Sequence, residues 1–177
     1  ENPTARQRLG LLKIIGPKGG DSPQWQRNYF NICLDVCTAA TPRDARLDAV
    51  RLLQIGLGDV TDVIDRPGTA DGFVAARAPD VPFALRVNAS ARLAPLFPTD
   101  DAELDRELIR VLVMLETDSA VLLERVTARL TAASAVEDDL HYLMAAARLP
   151  GIRASDTTTR IARAVADLHH KMRDDKK

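Results

Sequence analysis

The chain has 177 residues, enough for one domain with a hydrophobic core or for about five helical repeat units. Its 24 basic and 25 acidic residues leave a formal charge of −1, which argues against a nucleic-acid or membrane-surface protein. Hydrophobic residues make up 46% but aromatics only 4%, a balance that suits closely stacked helices better than a β-sandwich.

No stretch reaches the ~20 apolar residues that span a bilayer, and no signal peptide is visible. The chain starts at Glu1 without an initiator methionine, as expected of a processed or excised piece of something longer.

In chain order, Thr4–Ile15 is predicted to form a helix with Leu9, Leu12 and Ile15 inward, ended by Gly16-Pro-Lys-Gly-Gly20. That turn has the glycine and lysine of a phosphate cradle, but no strand precedes it and no Lys-Ser/Thr pair follows. Ser22-Pro23 supplies an N-cap and a first-turn proline for a helix with Trp25, Tyr29, Ile32, Cys33 and Val36 along one side. Cys33 and Cys37 share a face of that helix. No second Cys or His pair completes a tetrahedral site and no Cys-x-x-Cys-His is present, so they read as small buried hydrophobes. Thr41-Pro42 repeats the cap device and opens Arg43–Leu57, whose stripe is Leu47, Val50, Leu53 or Gln54, and Leu57; Gly56 and Gly58 close it.

Residues 59–99 break the pattern, because five of the ten prolines fall there. A turn is expected at Arg66-Pro-Gly-Thr69, two helical turns over Asp71–Arg77 and a short helix over Ala84–Ala94, together a degenerate repeat with an extended linker. Asn88-Ala-Ser90 matches the glycosylation acceptor triplet, which chance alone supplies in a chain of this length.

Residues 100–173 read as four amphipathic helices at nearly even spacing: Ala102–Glu116, Ser119–Leu130, Val136–Leu149 and Thr157–Met172. Pairs of such helices have the length of a stacked α-hairpin unit. In the first, Leu104, Leu108, Val111, Leu112 and Leu115 form a stripe that Ile109, Val113 and Met114 widen, which predicts burial on two sides. In the third, Leu140, Leu143 or Met144, and Ala147 are predicted inward. In the fourth, Ile161, Val165, Leu168 and Met172 form the apolar face, opposite Arg160, Arg163, Asp167 and Lys171. Ser134 with Glu137, and Asp100 with Glu103, have capping-box spacing; Asp118 or Ser119, and Ser155 or Asp156, can cap the other two. Pro150-Gly151 stops the third helix.

Chemistry-bearing groups are few. Glu137-Asp138-Asp139 and His141 gather in the first turns of one helix, and Asp138 with His141 is half of a metal site or a general-base pair. The helix dipole equally favours acids there, with His141 and Tyr142 packing between helices. His169-His170 reads as a solvated pair. No Ser–His–Asp or Cys–His arrangement can be defended, and no catalytic residue and no cofactor is expected.

The run Arg43-Asp-Ala-Arg-Leu-Asp-Ala-Val-Arg-Leu-Leu-Gln54 with Gly58-Asp59-Val60 resembles a HEAT-type repeat helix and its exit turn. Leu104–Leu115, Leu122–Leu130 and the Leu140-His-Tyr phrase resemble helical-repeat segments of large exported bacterial multidomain proteins, some of which also carry a β-propeller and a c-type cytochrome domain. The resemblance covers about half of the chain. It implies an exported or periplasmic setting, with any chemistry lying outside these residues.

The expected fold is therefore all-α, a HEAT-like α–α superhelix with an irregular Pro-rich insertion. Residues 1–58 and 100–173 form N- and C-terminal repeats, 59–99 the connection and 174–177 a charged tail. The expected function is a non-catalytic scaffold binding a protein partner or other domains of its parent chain, without nucleic-acid binding or membrane insertion. Its binding surface would be a ridge of Arg106, Arg110, Arg125 and Arg129. The alternative is an accessory or metal-binding segment of a redox or metal-dependent enzyme, using Asp138, Asp139 and His141.

Overall fold

The computed structural model describes residues 4–16, 22–38, 40–59, 72–73, 75 and 80–174. Among these the chain is all-α, with eight helices and no strand: α1 Ala5–Ile15, α2 Pro23–Thr38, α3 Arg43–Leu57, α4 Phe83–Leu93, α5 Ala102–Met114, α6 Ala120–Thr127, α7 Val136–Arg148 and α8 Ser155–Asp174. The turn expected at Arg66–Thr69 and most of the expected Asp71–Arg77 helix lie outside the described residues. No described helix is long and apolar enough to cross a membrane. The chain forms two compact units, Glu1–Leu115 and Glu116–Lys177.

In the first unit α3 is the central helix, packed on α1, α2 and α5, while α4 leans on α2 and α5. Its sequence explains this position: Leu47, Ala49, Val50, Leu52, Leu53 and Leu57 are all buried and wrap most of its circumference. Burying each such leucine is worth roughly 1.5–3 kcal/mol, so α3 carries much of the unit's hydrophobic stabilisation. Gly56 lies inside α3 and does not end it. A Cβ there would meet the Tyr29 and Phe30 rings at 3.0 and 3.2 Å, so the glycine lets α2 approach α3 closely. Gly58 is the true terminator, in the left-handed region at φ 93°. The buried Tyr29 hydroxyl donates to the Leu52 carbonyl at 2.8 Å, fastening the same contact.

α5 buries eight of its residues, from Leu104 to Met114, as its wide stripe predicts. It ends two residues earlier than expected, where Glu116 turns into the left-handed region at φ 54°. Its N-cap is Asp101, accepting from the Leu104 amide at 2.9 Å, not Asp100. Thr41 does not cap α3 either: its hydroxyl donates to the Val36 carbonyl at 2.7 Å and Pro42 takes the cap position. Thr4, by contrast, closes a full capping box with Gln7.

In the second unit α6, α7 and α8 pack on one another pairwise. Ser119 caps α6 by accepting from the Leu122 amide. The Ser134–Glu137 capping box does not form: Ala135 is the N-cap of α7, and Ser134 turns its hydroxyl to Asp139. Ser155 and Asp156 lie inside the first turn of α8 rather than capping it.

The larger correction concerns which faces are buried. In α7 Leu140 is 41% and Met144 38% exposed, and Ala147 is exposed, whereas Asp139, Tyr142, Ala145 and Ala146 are buried. In α8 Val165 is 55% and Met172 45% exposed, and the buried residues are Thr157 and Ala164. Thr157, Ala164 and Lys171 are seven apart and share one face. That line faces the core of the unit, with Ile161 and Leu168 half-buried beside it and Val165 and Met172 left outside.

Arg43 links the starts of α3 and α5. Its guanidinium bonds both Asp101 oxygens and reaches Glu103 at 2.6 Å, holding Asp101 down from 3.8 to about 2 and lowering Glu103 as well. A carboxylate whose folded pKa is depressed stabilises the native state above its unfolded value and loses that contribution as pH falls toward the folded one. Urea stability should therefore fall between pH ~4 and ~2, and Arg43→Gln should flatten that decline. An unaltered pH profile in the variant would refute the assignment.

Candidate functional site

Asp139 is the most deeply placed of the acidic candidates, at 1% exposure on the first turn of α7. A carboxylate that far from water needs compensation, and it has two partners. Lys171 from the last turn of α8 donates to Oδ2 at 2.6 Å, and the Ser134 hydroxyl lies 2.6 Å from Oδ1. Lys171 also donates to the Thr131 and Ser134 carbonyls at 2.7 and 2.8 Å, so one ammonium closes the turn after α6 and neutralises Asp139. Both oxygens of Asp139 are engaged.

Asp138 and His141 are half-buried on α7 and do not join Asp139 in a ligand set. His141 meets the Tyr142 ring edge-on, centroids 5.5 Å apart at 82°, while Tyr142 itself is 3% exposed. Among the described residues no group of three or more His, Cys, Asp or Glu is placed to hold a metal ion. His169 and His170 are both exposed on α8.

Cys33 and Cys37 are free and buried. Burial pushes the Cys33 thiol well up, with Cys37 adding to it; burial also raises Cys37 to about 12, against the pull of Arg92 and Arg46. Burial thus disfavours the reactive thiolate at both positions.

The expected arginine ridge changes character. Arg110 is an internal staple of the first unit, bonding Asp59 and Glu107 at 2.9 Å each and the Gly72 carbonyl at 2.8 Å. Arg106 is half-buried on α5; Arg125 is exposed on α6 and Arg129 half-buried just after it.

A cleft in the second unit was not anticipated. It encloses about 480 Å³ between the exit of α6 and one side of α8, and is lined by Ala128, Leu130, Thr131, Ala132, Asp139, Arg160, Arg163, Ala164 and Asp167. The sequence signal for it is the polar set Arg160, Arg163, Asp167 and Lys171, which the periodicity places opposite the apolar stripe. No family model matches the chain, and neither a curated protein nor a solved structure does.

Lys171→Met should destabilise the second unit by ~3–5 kcal/mol, because it leaves a buried carboxylate unpaired. The double change Lys171→Leu with Asp139→Leu should recover most of that in a urea melt followed by circular dichroism. Tyr142→Ala should cost on the order of 2–4 kcal/mol by opening a cavity; a melting temperature left unchanged would remove Tyr142 from the core.

Proposed function

We propose that the chain is a non-catalytic helical-repeat scaffold, an α–α superhelix whose role is to hold a protein partner or another domain of its own polypeptide. The observation that carries this reading is the apolar face that α7 and α8 turn outward. The two helices run antiparallel, since Asp139 at the start of α7 meets Lys171 at the end of α8. Leu140, Met144 and Ala147 on α7 and Val165 and Met172 on α8 are exposed, with Ile161 and Leu168 half-buried between them and the core, so the exposed apolar residues of both helices border one water-facing surface. A water-facing apolar surface of this kind is covered economically by another helix or helical hairpin.

The order of packing supports the superhelix. Helix α1 rests on α2 and α3, α2 on α3 and α4, α3 on α5, and in the second unit α6 on α7 and α8. Contacts between neighbours and next-but-one neighbours are those of stacked α-hairpins. The candidate chemistry, meanwhile, is spent on structure: Asp139 neutralises Lys171 and Arg110 ties down a loop.

Chelator-free chain purified with its partner from the native source should carry no stoichiometric metal, and Val165→Glu with Met172→Glu should release the partner. Stoichiometric zinc, iron or copper that disappears in His141→Ala would overturn the scaffold reading in favour of a metal-dependent role.

A further inference from the structure

The cleft beside α8 carries a charge imbalance that the fold itself does not use. Two of its lining groups, Arg160 and Arg163, are cations and two, Asp139 and Asp167, are anions. Asp139 is already neutralised by Lys171 at 2.6 Å, which leaves two guanidiniums facing a single carboxylate. Among the described residues Arg163 and Asp167 form no ion pair, and the one hydrogen bond of Arg160, to the Thr127 hydroxyl, is long at 3.4 Å. Most of the N–H donors of these two side chains are thus available to an incoming acceptor, in the fork geometry that matches a carboxylate.

The shape narrows the ligand. Arg160 to Asp167 spans seven residues of α8, about 10 Å along the axis, the length of about three residues of extended chain. Alanines at 128, 132 and 164 line the cleft, so a peptide backbone can lie close without displacing large side chains. The volume falls in the range of ordinary ligand clefts. This side of α8 lies away from the apolar stripe of Val165 and Met172, so the two surfaces can be occupied independently.

We propose that this cleft binds a short acidic peptide segment, its carboxylates taken by Arg160 and Arg163 and a backbone N–H by Asp167. The proposal rests on the interaction reading above and assigns a second, chemically distinct surface to it.

The test is fluorescence anisotropy of a labelled hexaglutamate peptide with the full chain at low ionic strength. Arg160→Gln with Arg163→Gln should weaken binding at least ~10-fold, and Asp167→Asn should tighten it a few-fold. Should the double variant melt early, Ala132→Glu decides instead: it places a carboxylate at the cleft on an exposed residue and should weaken binding as much. Binding undiminished in these variants, or lost equally in Arg125→Gln with Arg129→Gln, would overturn the cleft as the site. Inorganic phosphate binding as tightly as the peptide would overturn the peptide assignment. Val165→Glu with Met172→Glu should leave peptide binding intact, so loss of the partner in that variant tests the scaffold reading separately.

Discussion

A carboxylate at 1% exposure has to be paired, and the second unit is arranged around that requirement. Asp139 sits in the first turn of α7, the end of a helix whose dipole favours an acidic side chain. Its counter-charge comes from the far end of α8, and the length of Lys171 lets the ammonium also reach two carbonyls of the turn after α6. That single choice fixes the rotation of α8. With Lys171 turned inward, Ala164 and Thr157 follow it, and the small alanine permits close helix packing. Val165 and Met172 are then carried to the outside, while Ile161 and Leu168 stay half-buried.

The first unit solves its packing differently. Its interior is mostly apolar, apart from Gln54 and the buried Asp105, whose Oδ1 accepts from the Thr99 amide at 2.6 Å. Most of the charged groups that cross between α3 and α5 sit at the rim. Arg43, Arg51, Glu103 and Glu107 form a mostly exposed network, whose individual pairs contribute little in water. Gln54 is the exception: at 3% exposure its amide donates to the Glu107 carbonyl and side chain at 3.0 and 2.9 Å, which sets the register of the two helices. Gly56 and the Tyr29 hydroxyl do the same for α2 against α3. Hydrophobic burial supplies the energy of this unit, and these few polar or missing side chains determine the arrangement.

Helix positions were legible because they depend on local signals. The starts at Pro23, Arg43, Ala102 and Val136 follow from prolines and the onset of periodicity, each encoded within a turn or two of chain, although the polar caps expected at Thr41 and Ser134 do not form. Even there the cap identity slipped by one residue at Asp101, since neighbouring aspartates carry the same signal. The buried faces of α7 and α8 were not legible in the same way. Periodicity reports that Ile161, Val165, Leu168 and Met172 share a face, and cannot report whether that face meets this unit or something else. The deciding contact, Lys171 to Asp139, joins residues 32 apart, and a lysine on a helix reads as solvated until its partner is known to be buried. Gly56 was misread for a related reason: a glycine at a helix end looks like a stop signal, and the Tyr29 and Phe30 rings that need the space are a helix away.

The rotation of α8 gives one helix three chemically different sides. The line through Thr157, Ala164 and Lys171 belongs to the core, the stripe through Val165 and Met172 faces water, and Arg160 and Arg163 border the cleft. A helix serving only to close a bundle would bury its stripe and leave its arginines to solvent. Here the ion pair holds the apolar residues out and keeps the arginines beside the cleft. The pairing costs desolvation and leaves Val165 and Met172 of α8 without full burial. These exposed side chains are what the proposed partner would cover, so the fold of this unit and that proposal both turn on the same buried carboxylate.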